Sequence, residues 1–177
     1  NVDPDDAAAV LSRIDVARSL FILVSKSGTT LETLTNESFV KDALENAGFA
    51  AYAVGGCVRD LLRGMEPHDV DITTSARPEE VMALFAPHAI PTGLQHGTVT
   101  VRQNGQSFEV TTFRADGPYT DHRRPDSVQF SHSLQEDLRR RDFTVNAMAM
   151  DLRGQVYDFH GGQADLRAGI LRCVGEA

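Results

Sequence analysis

Ala50-Ala-Tyr-Ala-Val54-Gly-Gly-Cys-Val-Arg59-Asp60, with Asp69-Val-Asp71-Ile-Thr73 nine residues further on, is the stretch that decides the fold. Ala50 to Val54 reads as a short strand, Gly55-Gly56 breaks it, and residues 57–63 read as a helix. Val70 to Thr73 reads as the next strand. Alternate residues of a strand share a face, so Asp69 and Asp71 are expected side by side, about 7 Å apart along the backbone.

Working downstream, Pro78 is expected to start a helix that runs through Phe85. Thr98 to Arg102 and Ser107 to Arg114 read as a hairpin around Asn104-Gly105, the strongest short hairpin signal in the chain. Residues 115–126 read as a polar loop with two prolines, helical patches follow around 134–140 and 143–149, and strands are expected near 155–159 and 170–174. Upstream, residues 5–14 read as a helix, Leu20 to Val24 as a buried strand, Ser25 to Thr30 as a polar turn, and 31–46 as a helix. The apolar positions of that last helix are Leu31, Leu34, Phe39, Ala43 and Leu44, and Gly48 ends it. Strands with helices segregated from them give an α+β fold with a mixed sheet.

Two adjacent carboxylates repel each other unless a cation meets their oxygens. Mg²⁺ prefers hard oxygen ligands and takes one or two carboxylates together with substrate phosphates. Asp69 and Asp71 are therefore the candidate catalytic and metal-binding pair. In a two-metal nucleotidyl transfer the ions stand roughly 4 Å apart. Glu109 is the third candidate carboxylate: it shares a strand face with Thr111, while Phe108 and Val110 are expected to point into the core. Gly55 and Gly56 suit a phosphate cradle at a helix start. Arg59, one turn into that helix, is placed to fork onto a phosphate.

The bulk properties bound this reading. With 41% hydrophobic and 24% charged residues, the chain has an ordinary globular composition. A net charge of −8 is the wrong sign for gripping nucleic acid over a broad face. Residues 1–48 are the more acidic segment per residue, whereas arginines cluster at 123–124 and 139–141. No apolar run approaches a membrane span and no secretory signal opens the chain, so a cytoplasmic protein is expected; the start at Asn1 rather than Met points to a missing upstream piece. Cys57 and Cys173 are expected to be reduced, buried thiols, although spacing alone leaves a disulfide between them open.

Beyond this core, Leu94-Gln-His-Gly-Thr-Val-Thr-Val101, Phe108-Glu-Val-Thr-Thr-Phe-Arg114, Arg123-Arg-Pro-Asp126 and Arg139-Arg-Arg-Asp-Phe-Thr-Val-Asn146 complete a set of motifs. Together with Gly161-Gly-Gln163 and Arg172-Cys-Val-Gly175, they resemble the class II nucleotidyltransferases of the DNA polymerase β superfamily, the bacterial tRNA CCA-adding and poly(A) polymerase enzymes. The resemblance covers about 49–177 and implies a polymerase-β-like nucleotidyltransferase head. It implies metal binding at Asp69 and Asp71, with Gly56 and Arg59 contacting the triphosphate of CTP or ATP. It further places Arg141 on the triphosphate and Asp142 and Asn146 near the ribose. The implied partner is the 3′ end of tRNA. The chain ends at Gly175-Glu-Ala177, ahead of the acidic–arginine motif that reads the base edge in the family and of the family's tRNA-holding helices. Triphosphate and metal binding with little choice of base, and weak tRNA affinity, are the expectation.

The first 48 residues carry a second likeness. Leu20 to Thr35, with Ser25-Lys-Ser-Gly-Thr-Thr-Leu-Glu-Thr33, resembles the sugar-isomerase domain of glucose-6-phosphate isomerase. That resemblance implies a helix–strand–helix segment with Ser25, Ser27, Thr29 and Thr30 as phosphate-binding residues. It also implies a chimera joined near Gly48–Phe49, whose first segment packs on the sheet of the second.

Overall fold

The computed structural model describes residues 29–115 and 129–175, and side chains from residue 35 onward. The expected helix 5–14, the strand 20–24, Ser25, Ser27 and the greater part of the loop 115–126 lie outside the described residues. Thr29 and Thr30 open helix α1 (Thr29–Asn46).

From α1 the chain runs through β1 (Ala51–Val54), α2 (Gly56–Leu62), β2 (Asp71–Thr74), α3 (Pro78–Leu84) and β3 (Ala89–Gly93). A 3-10 turn (Leu94–His96) leads to the hairpin of β4 (Thr98–Gln103) and β5 (Gln106–Thr112). The short strands β6 (Arg114–Ala115) and β7 (Gln129–Phe130) pair with each other. Then come α4 (Leu134–Arg139), a 3-10 turn (Thr144–Asn146), β8 (Met148–Met150), β9 (Val156–Asp158) and α5 (Gly162–Ala168). Seven strands form one sheet in the order β3-β4-β5-β2-β1-β8-β9. Only the β2–β5 pair in it is parallel, which makes the sheet mixed, as the α+β reading requires.

The hairpin follows its turn chemistry. Gln103 faces Gln106, and Asn104 and Gly105 both take positive φ, 49° and 80°, the backbone of a two-residue I′ turn.

The strand alternation sorts side chains between two faces. Ala51, Ala53, Ile72, Val99, Val101, Phe108 and Val110 turn to one face and form the main core with Val58 of α2, Val81 of α3, and Val40 and Leu44 of α1. Fully burying one such aliphatic side chain contributes about 1.5–3 kcal/mol. Tyr52, Val54 and Ala149 turn to the opposite face, where Leu134 and Leu138 of α4 cover them. Helix α4 shields the β1–β8–β9 side of that face and reaches Thr73 of β2 through Asp137. The part over Asp71, Thr98, Glu109 and Thr111 stays open.

Helix α1 docks differently from its apolar pattern. Phe39, expected inward, is 57% exposed, while Val40 and Leu44 are fully buried. The helix is oriented instead by polar contacts: Asn36 donates to Gln106 and accepts from Asn104 at the hairpin tip, both at 2.9 Å. Lys41 pairs with Glu37 at 2.6 Å, with both side chains almost wholly buried. These bonds turn Phe39 outward.

Three expectations need correction. Residues 143–149 are not helical: a 3-10 turn and strand β8 occupy them, because Met148-Ala149-Met150 is flanked by β1 and β9 and pairing outweighs the helix propensity of Ala and Met. Residues 170–174 form no strand beyond one bridge, Phe143 to Cys173. Cys173 is exposed rather than buried, and both cysteines are free. Strand β3 and helix α5 carried no signal strong enough to be expected.

Candidate active site

The open part of the sheet holds a cleft of about 260 Å³. Asp71 and Glu109 line it together with Arg114, Arg140 and Arg141, and Val54, Ile72, Thr98 and Thr111 complete the lining. Its position follows from register. The parallel β2–β5 pairing sets Asp71 opposite Glu109 and Thr73 opposite Thr111, which brings two carboxylates from segments far apart in sequence onto one face. Phe108 and Val110 are buried on the other face, as expected.

Strand β2 begins at Asp71, so Asp69 lies just ahead of it. The alternation nonetheless holds across the boundary: Val70 and Ile72 are buried, and Asp69 and Asp71 are exposed. Burial of its surroundings raises the Asp71 carboxyl above the ordinary value, Arg141 opposes that rise, and Asp69 adds to it. The donors suit a hard cation: carboxylate oxygens with no thiol among them, since Cys57 is buried and donates to the Val54 carbonyl at 3.2 Å. Burial also pushes the Cys57 thiol up to about 11, so it stays protonated. Among the described residues no three acidic, His or Cys side chains form a ready-made metal cage.

The glycine pair makes room for two guanidinium groups. Gly55 has φ 85° and ψ −135°, a conformation essentially restricted to glycine, and a Cβ there would sit 3.1 Å from Arg141 Nη1. At Gly56 the nearest side-chain atom to such a Cβ would be Arg59 Nη2, at 3.5 Å. The expectation that backbone N–H groups form the cradle holds less well, because the Gly55 N–H already donates to the Met148 carbonyl at 3.1 Å. Arg59 is anchored by donation to Asn146 Oδ1 at 2.8 Å and to Asp60 at 2.9 Å. Gly55, Arg141, Gly56, Arg59 and Asn146 thus form one connected wall. Asp142 is exposed, and its carboxylate accepts from the N–H of Phe143 at 2.8 Å.

Asp137 was missed in the sequence. It is fully buried and accepts from Thr73 Oγ1 at 3.1 Å, Arg140 Nε at 3.1 Å and the Arg114 N–H at 3.2 Å, with Arg141 Nη2 at 3.6 Å. The usable signal was its place three and four residues before Arg140 and Arg141 on a helix. The basic run is therefore not one solvated face: Arg139 is exposed, whereas Arg140 and Arg141 turn inward.

A second clamp holds the 144–146 turn that carries Asn146. Asp165 accepts from Thr144 Oγ1 at 2.7 Å and from Arg172 Nε at 3.0 Å. A Cβ at Gly162 would overlap the Thr144 carbonyl, so glycine permits α5 to approach this closely. A larger hollow of about 550 Å³ between α1 and the hairpin, which includes Phe39 and Asn104, has one carboxylate, Asp42, and no cation in its lining. It lacks the chemistry of the smaller cleft. No described helix is long and apolar enough to cross a membrane.

Comparison with known proteins agrees with this fold. The family model of the poly(A) polymerase head domain matches residues 51–172, and a phosphoglucose isomerase model matches residues 1–61. The CCA-adding enzyme of Lactobacillus helveticus is 59% identical over 137 residues, which cover 77% of this chain and 34% of that protein. The CCA-adding enzyme of Oceanobacillus iheyensis is 55% identical over 146 residues, 82% of this chain and 36% of that protein. The latter match is longer than the stretch from 49 to 177, so the likeness continues upstream of Phe49 into α1. Among solved structures, the Bacillus stearothermophilus CCA-adding enzyme in complex with CTP superimposes with a TM-score of 0.73 at 49% identity, covering 81% of this chain and 34% of that one. A tRNA nucleotidyltransferase complexed with a primer tRNA and an incoming ATP analog gives a TM-score of 0.61 at 33% identity, covering 77% of this chain and 39% of that one. The chain spans about a third of the length of the curated relatives it matches.

Proposed function

The chain belongs to the poly(A) polymerase head-domain family that its CCA-adding relatives share, and from that premise we propose that the cleft binds CTP or ATP for Mg²⁺-dependent nucleotidyl transfer to the 3′ end of tRNA. The observation that carries the reading is the pairing of Asp71 with Glu109 across β2 and β5, facing Arg140 and Arg141 over one cleft. Carboxylates on one side and guanidinium groups on the other match a metal-bound triphosphate, whose anionic oxygens need both a cation bridge and hydrogen-bond donors.

In the reaction the RNA 3′-hydroxyl oxygen bonds to the α-phosphorus, the bond from that phosphorus to pyrophosphate breaks, and the hydroxyl proton leaves to solvent. Asp69 and Asp71 would hold Mg²⁺ beside Glu109, and the ion when bound lowers the charge barrier at the attacking and leaving oxygens. Arg141 and Arg59 bind and orient the triphosphate, and Asn146 fixes Arg59. Asp142, exposed at the end of the basic run, accepts from a ribose hydroxyl. In this reading helix α1 serves as a cover for the sheet core.

Incorporation of labelled CMP or AMP into a tRNA lacking its 3′ end, with and without Mg²⁺, tests the proposal. Mg²⁺-dependent addition from CTP and ATP supports CCA addition, and AMP addition alone supports poly(A) addition. One fact favours a second reading, triphosphate binding without turnover: the chain spans only about a third of its relatives' length. Retained CTP binding with no incorporation selects it.

A further inference from the structure

We propose that Asp137 is a positioning residue of the cleft, acting through Arg141: it holds that guanidinium open toward the triphosphate and away from the metal-side carboxylate Asp71. The inference rests on the triphosphate reading above and deepens it.

Asp137 does not touch a ligand in the cleft itself. Its side chain is wholly buried, and its acceptor sites are taken: Oδ1 by the Arg114 N–H and by Nε and Nη2 of Arg140, Oδ2 by Thr73 and the approach of Arg141. An ionised carboxylate offers about four lone-pair sites, so none is left for a metal or a substrate hydroxyl. Thr73 anchors it to the strand that carries Asp71, two residues away, and Arg114 ties it to the end of the strand run that carries Glu109. The carboxylate is thus fixed relative to the metal side by groups other than the arginines it orients.

Arg141 stands between two carboxylates. Asp137 draws it from behind and Asp71 from across the cleft. Its Nη2 approaches Asp137 and its Nη1 packs against Gly55, whereas its buried Nε has no hydrogen-bond partner. A guanidinium presents five N–H donors in a rigid plane. Holding the Nη2 edge by Asp137 leaves the Nη1 edge, on the Gly55 side, for a ligand. With Asp137 neutral, Asp71 is the nearest counter-charge, and Arg141 turns onto the carboxylate the metal needs. The side-chain amide of Asn at 137 would also present N–H donors to two arginines, a repulsive contact in place of an attractive one.

The test is a cycle of CTP titrations in Mg²⁺ on the 177-residue chain, read by calorimetry, with thermal unfolding recorded for each variant. Arg141→Ala is expected to weaken CTP binding about tenfold or more, the size of one lost charge-assisted hydrogen bond. Asp137→Asn is expected to weaken it about tenfold as well, and the double variant to bind no more weakly than Arg141→Ala alone. A merely structural role lowers the unfolding temperature and leaves the CTP affinity of the folded protein unmoved, which overturns the inference. So do effects that multiply to about a hundredfold in the double variant. Should Asp137→Asn fail to fold, Thr73→Val removes one anchor of Asp137 and is expected to weaken CTP binding severalfold; unchanged affinity there also overturns it. A wild-type chain that binds no CTP removes the triphosphate reading and this inference together. Dependence on Arg141 without dependence on Asp137 removes this inference alone.

Discussion

Asp137 and Asp165 are both buried, both accept from a threonine hydroxyl and both pair with arginine, yet they differ in what stands behind them. Asp165 meets one arginine: Arg172 lies over it through Nε and Nη2, with its own side chain 60% exposed and its plane committed to that contact. The pair is balanced and closed. Asp137 meets two arginines, Arg140 and Arg141, so one positive charge is left over and it faces the cleft where Asp71 and Glu109 stand. A closed acid–base pair is a brace for the fold. A pair with surplus charge turned to a cavity is half of a binding site.

The largest expected effect separates the two regions by function. Asp71→Ala should reduce Mg²⁺-dependent CTP binding roughly a hundredfold or more, because it removes one carboxylate of the metal pair and leaves Asp69 alone ahead of the strand. Arg172→Ala should leave CTP affinity within about threefold while lowering the unfolding temperature. Calorimetric titration and thermal unfolding of the two variants check this. Equal losses of affinity would erase the distinction.

A middle-sized effect probes the glycine that lets Arg141 reach the cleft. Gly55→Ala must strain a backbone that only glycine adopts readily and crowd Arg141 Nη1. It should cost about 1–3 kcal/mol of stability, measured by denaturant unfolding, and weaken CTP binding in the same variant. Gly169→Ala, at a positive φ with open space around it, should destabilise without touching affinity.

The smallest effects concern pH, and the two regions should respond with opposite signs. Hydrogen bonds from Arg172 and then Thr144 hold the Asp165 carboxyl below its ordinary value of 3.8. That group therefore contributes stability above about pH 4, and the contribution is lost as pH falls through its folded value. Asp165→Asn should flatten the acid limb of the unfolding curve between pH 5 and 3. Asp71 is shifted upward, chiefly by burial, so its contribution is present below the unfolded value and is lost as pH rises through the folded one. In metal-free buffer at pH 7, Asp71→Asn should raise the unfolding temperature only slightly, because solvent screens an exposed carboxylate. A fall in that temperature would show Asp71 to be a structural acid.

Much of this site was legible in the sequence, for reasons of spacing. Asp69 and Asp71 are one residue apart, so strand alternation alone puts them on one face, and Asn104-Gly105 announces the hairpin that orients Glu109. What spacing does not carry is pairing between distant segments. The parallel β2–β5 register that sets Asp71 against Glu109 is a tertiary fact. Asp137 was hidden for the same reason: one of two adjacent acids before a basic run reads as surface charge until Thr73 and the Arg114 N–H are known to close over it. Met148 and Ala149 read as helix, within 143–149, because propensity is local and the two neighbouring strands are not. Phe39 read as core because periodicity does not see the hydrogen bonds of Asn36 that rotate α1.

The central claim is that one cleft joins a carboxylate-held metal to an arginine-held triphosphate. Calorimetric titration of CTP into the 177-residue chain, in Mg²⁺ and again in EDTA, tests it most directly. The account predicts saturable one-to-one binding that collapses in EDTA and in Asp71→Ala. Binding of equal strength with and without the metal, or binding indifferent to Asp71, would contradict it.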